Sequence, residues 1–288
     1  AAVAQCVKPL GYVPSPTNKH LFVRRPNPEL VIKNVMLPDE QKENIRLALA
    51  QEQHNELIFD QWGFGQVLEK GTAITLLFWG QPGTGKTLMA QAIAEETNSD
   101  LRTYDTADIQ SPIPGESERK IKQIFVDAKG TTNGRKRIIL FDECDSLLMN
   151  RNLLGPILGA QVNVLLGEIE KHTGIVIFTT NRLGKLDPAL ARRITTKIEF
   201  PFPNEQQRYE IWKRLIPKKE PLAKDVNLFD LSKYRLTGGN IKNIVLTAAR
   251  KAAYSKVQKI DKICLLEAIE KEMEGSLDFK SSRNQADR

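Results

Sequence analysis

The sequence predicts an α/β protein, a parallel sheet covered by helices, followed by a small all-α unit. Three observations carry that prediction. Apolar runs of strand length, at Ala73–Trp79, Arg137–Phe141 and Gly174–Thr180, alternate with stretches of helical spacing, as a parallel sheet buried on both faces requires. A glycine-rich octapeptide, Gly80-Gln81-Pro82-Gly83-Thr84-Gly85-Lys86-Thr87, joins the first run to a helix. After Pro201-Phe202-Pro203-Asn204 breaks the chain, only helical spacing follows.

Taken in order, residues 1–33 are rich in proline and carry little periodicity, and read as an arm or linker in which Leu21-Phe22-Val23 could add an edge strand. Pro38 and Asp39 open a helix through about Asn55, and residues 59–72, with Trp62, Gly63, Phe64, Gly65 and Gly71, read as a loop. The strand 73–79 enters the glycine loop, and Leu88–Glu96 is helical. Leu101–Asp105 reads as a strand, Ser111-Pro112-Ile113-Pro114-Gly115 as a loop, and Glu116–Lys129 as a helix with Ile121, Ile124, Phe125 and Ala128 on one face. The strand run Arg137–Asp145 ends in carboxylates. Residues 150–160 read as a mobile loop, 161–172 as a helix, and Gly174–Thr180 as a strand ending at Asn181. Asp187–Arg193 is a short helix and Lys197–Phe200 the last strand. Helices at 205–215, 228–234, 239–257 and 261–274 form the all-α unit, so the expected divisions are 1–33, 34–203, 204–275 and a polar tail, 276–288.

Composition bounds the function. The 288 residues, 41% apolar and 27% charged, suffice for a substantial core, and no apolar run approaches the length of a membrane span. Cys6, Cys144 and Cys264 lie far apart without a C-x-x-C pair or histidines at ligand spacing, which predicts a reducing, cytoplasmic setting and no structural zinc. The net charge of +7 is dispersed and lacks an interleaved aromatic cluster, so it does not itself mark a nucleic-acid surface. The chain begins without Met, as a piece trimmed from something longer would.

The octapeptide matches G-x-x-x-x-G-K-[ST] in its strand–loop–helix setting, a P-loop. Its glycines let the backbone curl so that N–H groups converge on phosphate oxygens, and the following helix dipole adds to that field. Lys86 would reach the β and γ phosphates and the Thr87 hydroxyl would hold Mg²⁺, while Gln81, Pro82, Gly83, Thr84, Gly85 and Leu88 complete the cradle. At the third strand's tip, Asp142 would join the Mg²⁺ shell and Glu143 would deprotonate the attacking water. Asn181 is either a γ-phosphate contact or a turn residue, and Arg192-Arg193 either a pair offered to a neighbouring subunit's nucleotide or solvated cations.

Together, the P-loop, the Phe141-Asp142-Glu143-Cys144-Asp145 strand end, Asn181, Gly115-Glu116-Ser117-Glu118, Asp187–Arg193 and Gly238-Gly239-Asn240 resemble the central AAA clade of the AAA+ ATPases, from about Val35 to Ser255. That resemblance implies a five-stranded sheet in the order 5-1-4-3-2, a helical lid, ATP held between them, and a homo-oligomer, a hexameric ring. It implies Glu143 as catalytic base, Asn181 as first sensor, Arg192 and Arg193 as candidate arginine fingers with Arg193 preferred, Gly239 and Lys242 on the lid side of the nucleotide, and Val35 and Met36 by the adenine. Three departures stand out, the first being that the lid carries Lys242 rather than an arginine near the family's second-sensor position. Leu190–Thr195 lacks the clade's Pro-Gly spacer, and the substrate-gripping pore loop reads Ile113-Pro114-Gly115 without an aromatic. The resemblance therefore implies an ATPase that unfolds, remodels or disassembles protein clients held in the pore or on the ring face. A regulatory or scaffolding ATPase of a larger assembly and a nucleic-acid motor or loader are the alternatives.

Overall fold

The structure, a computed structural model, describes residues 30–67, 73–131, 134–149, 156–182, 186–217, 221–255 and 259–275. The expected N-terminal arm up to residue 29, with its Leu21–Val23 strand, and the tail from 276 lie outside them.

Leu30, Ile32, Val35 and Leu37 are buried around a single tight turn, Ile32–Asn34, and lead into α1 (Asp39–Gln53). Residues read as loop from 59 onward are instead partly helical. Glu56–Gln61 forms a wide turn, closed by Trp62 N donating to Leu57 O at 2.9 Å, and α2 (Phe64–Val67) follows Gly63. The glycines there punctuate helical turns rather than end them.

Strand β1 (Ile74–Gly80) feeds α3 (Lys86–Glu96), which starts two residues earlier than its apolar spacing predicts. Strand β2 (Asp100–Tyr104) ends one residue early because Asp105 caps a short helix, α4 (Thr106–Ile109), by accepting from Asp108 N at 2.9 Å. The helix α5 (Glu116–Ala128) and strand β3 (Arg137–Phe141) follow. The strand run expected to reach Asp145 stops at Phe141, and Asp145 opens α6 (Asp145–Leu148). Of the expected loop 150–160, residues 150–155 lie outside the described ones, and 156–160 are the first turns of α7 (Pro156–Lys171). Proline suits that start, since its missing N–H has no partner to lose there. Strand β4 (Ile175–Thr180), α8 (Pro188–Ala191) and β5 (Thr196–Phe200) complete the sheet.

All pairings are parallel and the spatial order is β2-β3-β4-β1-β5, the predicted 5-1-4-3-2 read from the other edge. Alternation along the strands fills two cores. Ile74, Leu76, Phe78, Ile138, Leu140, Ile175 and Ile177 pack with α1 and α3, while Leu77, Ile139, Phe141, Val176 and Phe178 pack with α5 and α7. Burial of both faces is why these strands read as unbroken apolar runs. A third core, around Trp212, Leu231, Ile241, Ile244 and Leu265, belongs to α9 (Glu205–Leu215), α10 (Leu228–Ser232), α11 (Gly238–Tyr254) and α12 (Lys262–Gly275). This is the expected all-α unit.

Candidate active site

The carboxyl ends of β1, β3 and β4 lie side by side, and each delivers polar residues to one point. Parallel α/β sheets leave their crevice at this edge. The loop after β1 turns sharply at Gly80, whose φ is +149° and where a Cβ would stand 2.3 Å from Phe200 O, so only glycine fits. Gly83 is also in the left-handed region, at φ +76°. Among the described residues no acceptor takes the backbone N–H groups of Gly83, Thr84, Gly85, Lys86, Thr87 or Leu88. Unpartnered amides at the start of α3 form a seat for an anion.

Lys86 is buried, and its Nζ donates to Gly80 O at 2.8 Å, Gln81 O at 2.9 Å and Asn181 Oδ1 at 2.8 Å. Burial holds its pKa below the usual lysine value, against the opposing pull of Asp142, Glu143 and Asp145. Three acceptors and three nearby carboxylates suit the charged ammonium, which phosphate oxygens can take over from the carbonyls. Thr87 Oγ1 lies 3.1 and 3.0 Å from the two carboxylate oxygens of Asp142. A hydroxyl beside a carboxylate is a hard oxygen pair of the kind Mg²⁺ prefers, with water and phosphate oxygens filling the rest of its shell. No group of three or more His, Cys, Asp or Glu side chains that could hold a metal occurs among the described residues, so Thr87 and Asp142 fit a phosphate-bound cation rather than an all-protein cage.

Glu143 stands just past the end of β3 with φ +50°, and its side chain is exposed. Its backbone is pinned on both sides, since its N–H donates to Thr179 Oγ1 at 2.8 Å and its carbonyl accepts from Thr106 Oγ1 at 3.2 Å. Thr179 Oγ1 also donates to Asp142 Oδ1 at 2.5 Å, and Asp145 Oδ1 accepts from Thr180 Oγ1 and from Asn181 N. Thr106, Thr179, Thr180 and Asp145 thus set the positions of Asp142, Glu143 and Asn181. Their signal in the sequence was only two polar residues at the tip of an apolar strand.

The lid meets the loop directly. Gly239 N donates to Gly83 O at 2.9 Å, and Thr237, which caps α11 together with Asn240, lies so close that a Cβ on Gly83 would be 2.6 Å from its Oγ1. Lys242, on the first turn of α11, is exposed. On the opposite side Val35 is buried next to Gly85, and Met36 is half-buried.

Four predicted residues stand outside this cluster. Arg193 Nε donates to Glu170 Oε1 at 3.1 Å and its Nη1 to Ala189 O at 2.9 Å, whereas Arg192 is exposed. Ile113 is 62% exposed beside exposed Pro114, on a turn held by Glu116 N donating to Ile113 O at 3.2 Å and by Ser111 hydrogen-bonded to Glu116 and Ser117.

Residues 76–202 match the family described as "ATPase family associated with various cellular activities (AAA)". The chain is 36% identical over 195 residues to protein CdcH of Halobacterium salinarum, covering 65% of this chain and 26% of that protein. It is 34% identical over 192 residues to the cell division cycle protein 48 homolog of Archaeoglobus fulgidus, 64% of this chain and 25% of that one. A Methanocaldococcus jannaschii protein named as a 26S proteasome regulatory subunit homolog shares 34% identity over 181 residues, 60% of this chain and 45% of its own. The aligned region thus spans from a quarter to just under half of these relatives' length.

Proposed function

We propose that this chain, whose residues 76–202 are an AAA-family ATPase domain, binds ATP with Mg²⁺ at the strand-tip cluster, hydrolyses it, and uses the cycle to remodel protein clients as a ring of like copies, a hexamer. The observation that carries the reading is the meeting of Lys86, Thr87, Asp142 and Asn181 from three strand ends, beneath a row of unpartnered amides. When bound, the metal supplies charge to the phosphate oxygens. Lys86 and the loop amides bind and orient the triphosphate, Thr87 and Asp142 hold the cation, and Asn181 orients the terminal phosphate or the water. Glu143, with its backbone fixed and its carboxylate exposed, takes the proton from that water.

Between the two arginines the contacts favour Arg192 as the group offered to a neighbouring copy's nucleotide, because Arg193 is engaged by Glu170 and Ala189 within its own chain. Gly239 and Lys242 close the site from the lid, and Val35 with Met36 lines the base side. A relative named for the proteasome supports protein as the client class. A second reading, a regulatory ATPase within a larger assembly, draws on the Ile113-Pro114 turn, which lacks an aromatic and is tied down by Ser111 and Glu116.

The test is the Glu143→Gln chain with ATP and Mg²⁺. It should bind ATP as the parent does and turn it over at least about 100-fold more slowly, the span general-base catalysis supplies. Undiminished turnover removes Glu143 as the base. The same chain, recovered with its bound material, should carry protein. Salt-resistant nucleic acid in its place favours the motor or loader alternative.

A further inference from the structure

Two arginines tie the all-α unit to the end of the sheet, next to the P-loop. After β5 the chain runs through Pro201-Phe202-Pro203, whose two proline rings restrict the backbone, into Asn204, which caps α9 by accepting from Gln207 N at 2.8 Å. Arg208, one turn into α9, is buried. Its Nη1 donates to Pro203 O at 2.6 Å and its Nε to Ser232 O at 2.7 Å, so one guanidinium grips the linker and the end of α10 together. Both acceptors are main-chain carbonyls, and bonds of this kind offset the cost of burying a charge. They leave from different nitrogens of one rigid plane, an arrangement that the single nitrogen of a lysine does not reproduce.

The second arginine comes just beyond Ser232. Arg235 is exposed and places its guanidinium carbon 5.1 Å from the centroid of the Phe202 ring, within cation–π range. Lys233, between them, is engaged by Asp230 and lies over Phe229 instead. Further along, Thr237 caps α11 and stands against Gly83, and Gly239 N donates to Gly83 O. On the sheet side, Gly80 pairs with Phe200 across β1 and β5. The contacts close a circle, from the P-loop to β5, through the linker to residues 232–235, and by way of 237–239 back to the P-loop.

From this circle we infer that Arg208 and Arg235 are positioning residues for the nucleotide: they hold the 232–239 segment against the P-loop and so set how fast nucleotide leaves. They act through Thr237 and Gly239 rather than on the phosphates. Arg208, buried and bonded to two carbonyls, is the fixed half of the clasp. Arg235, exposed and held by one ring face, is the half that lets go first when the lid swings away. Lid opening and product release limit the turnover of many enzymes, so a contact of this modest strength is enough to tune a cycle. The inference rests on the nucleotide site proposed above and names what keeps the lid on it.

Stopped-flow release of the fluorescent analogue mant-ADP from the full chain tests it, with urea unfolding of each variant as the control for stability. Phe202→Leu keeps an apolar side chain and removes the ring face, and Arg235→Met keeps the stem and removes the charge. Each should speed release about two- to fivefold, the worth of an exposed cation–π contact. The double variant should stay within about twofold of the faster single, because both changes remove one contact. Phe202→Tyr, which keeps the ring, should restore release to within about twofold of the parent. Arg208→Lys should speed release about tenfold or more, as the loss of one bond from a charged group allows. If that chain fails to fold, the Phe202 and Arg235 variants decide alone; if it folds and releases as the parent does, the role of Arg208 is overturned. Unchanged release in Phe202→Leu and Arg235→Met, even with lowered stability, makes the contact merely structural and leaves the nucleotide site standing. Effects that multiply in the double variant overturn the pairing. A parent chain that does not bind mant-ADP overturns both readings.

Discussion

The two ends of the parallel sheet handle buried polar groups in opposite ways. At the carboxyl end, Lys86 donates to Asn181 while Thr87 and Thr179 both bond Asp142, so side-chain hydrogen bonds tie together the ends of β1, β3 and β4. At the other end, His172 is buried after α7 with neither ring nitrogen bonded to a described residue, and it meets Phe125 edge-on with centroids 5.4 Å apart. At the carboxyl end the charged and amide side chains that gather after β1, β3 and β4 find partners in one another. The other treats an imidazole as packing, and burial lowers its pKa accordingly. Perturbation of a titratable group is therefore a poor guide to the site in this fold unless it comes with partners.

The contrast breaks most readily at Lys86. Lys86→Ala removes a cation that bridges Gly80, Gln81 and Asn181, and ATP affinity should fall at least about 100-fold, read by titration calorimetry. Retained affinity would mean that the network is only structural.

A smaller effect is expected where the loop meets the lid. Gly83→Ala adds a Cβ against Thr237 at a positive φ, and should cost about 1–3 kcal/mol of stability, measured by urea unfolding. The cost should shrink in a Thr237→Gly background if the contact, rather than the backbone conformation, dominates.

The smallest effect sharpens the comparison from the opposite end. His172 has its pKa depressed below the ordinary value of 6.5, so the unfolded chain takes up the proton first as pH falls. Stability is then full above about pH 6.5 and declines below it, by at most about 1.4 kcal/mol per pH unit, until the folded protein is itself protonated. His172→Phe should flatten that part of the stability profile. An unchanged profile would mean that the imidazole finds a proton acceptor on protonation.

Much of this was legible because the signals were local. The apolar runs at Ile74–Trp79, Ile138–Phe141 and Ile175–Phe178 name strands buried on both faces, and the spacing of Gly80 to Thr87 carries its own geometry. Boundaries failed where a polar residue switched roles. Asp105 left the strand to cap α4, and Pro156 began a helix where glycine and proline suggested a loop. The wide turn at Glu56–Gln61 was hidden for a related reason, since glycines and aromatics together read as a loop when nothing nearby is buried.

By itself the sequence determined the apolar strands, the glycine-rich loop, the acidic strand end and the all-α unit, because each is written in contiguous residues, and the resemblance those residues carry implied the sheet order. Only the tertiary structure decided that Thr179 and Thr180 hold Asp142, Glu143 and Asp145 in place, that Arg193 is engaged by Glu170 while Arg192 is exposed, and that Gly83 touches Gly239. Those facts join residues 23 to 156 positions apart, and a side chain's choice between two neighbours of like chemistry depends on distances that packing alone sets.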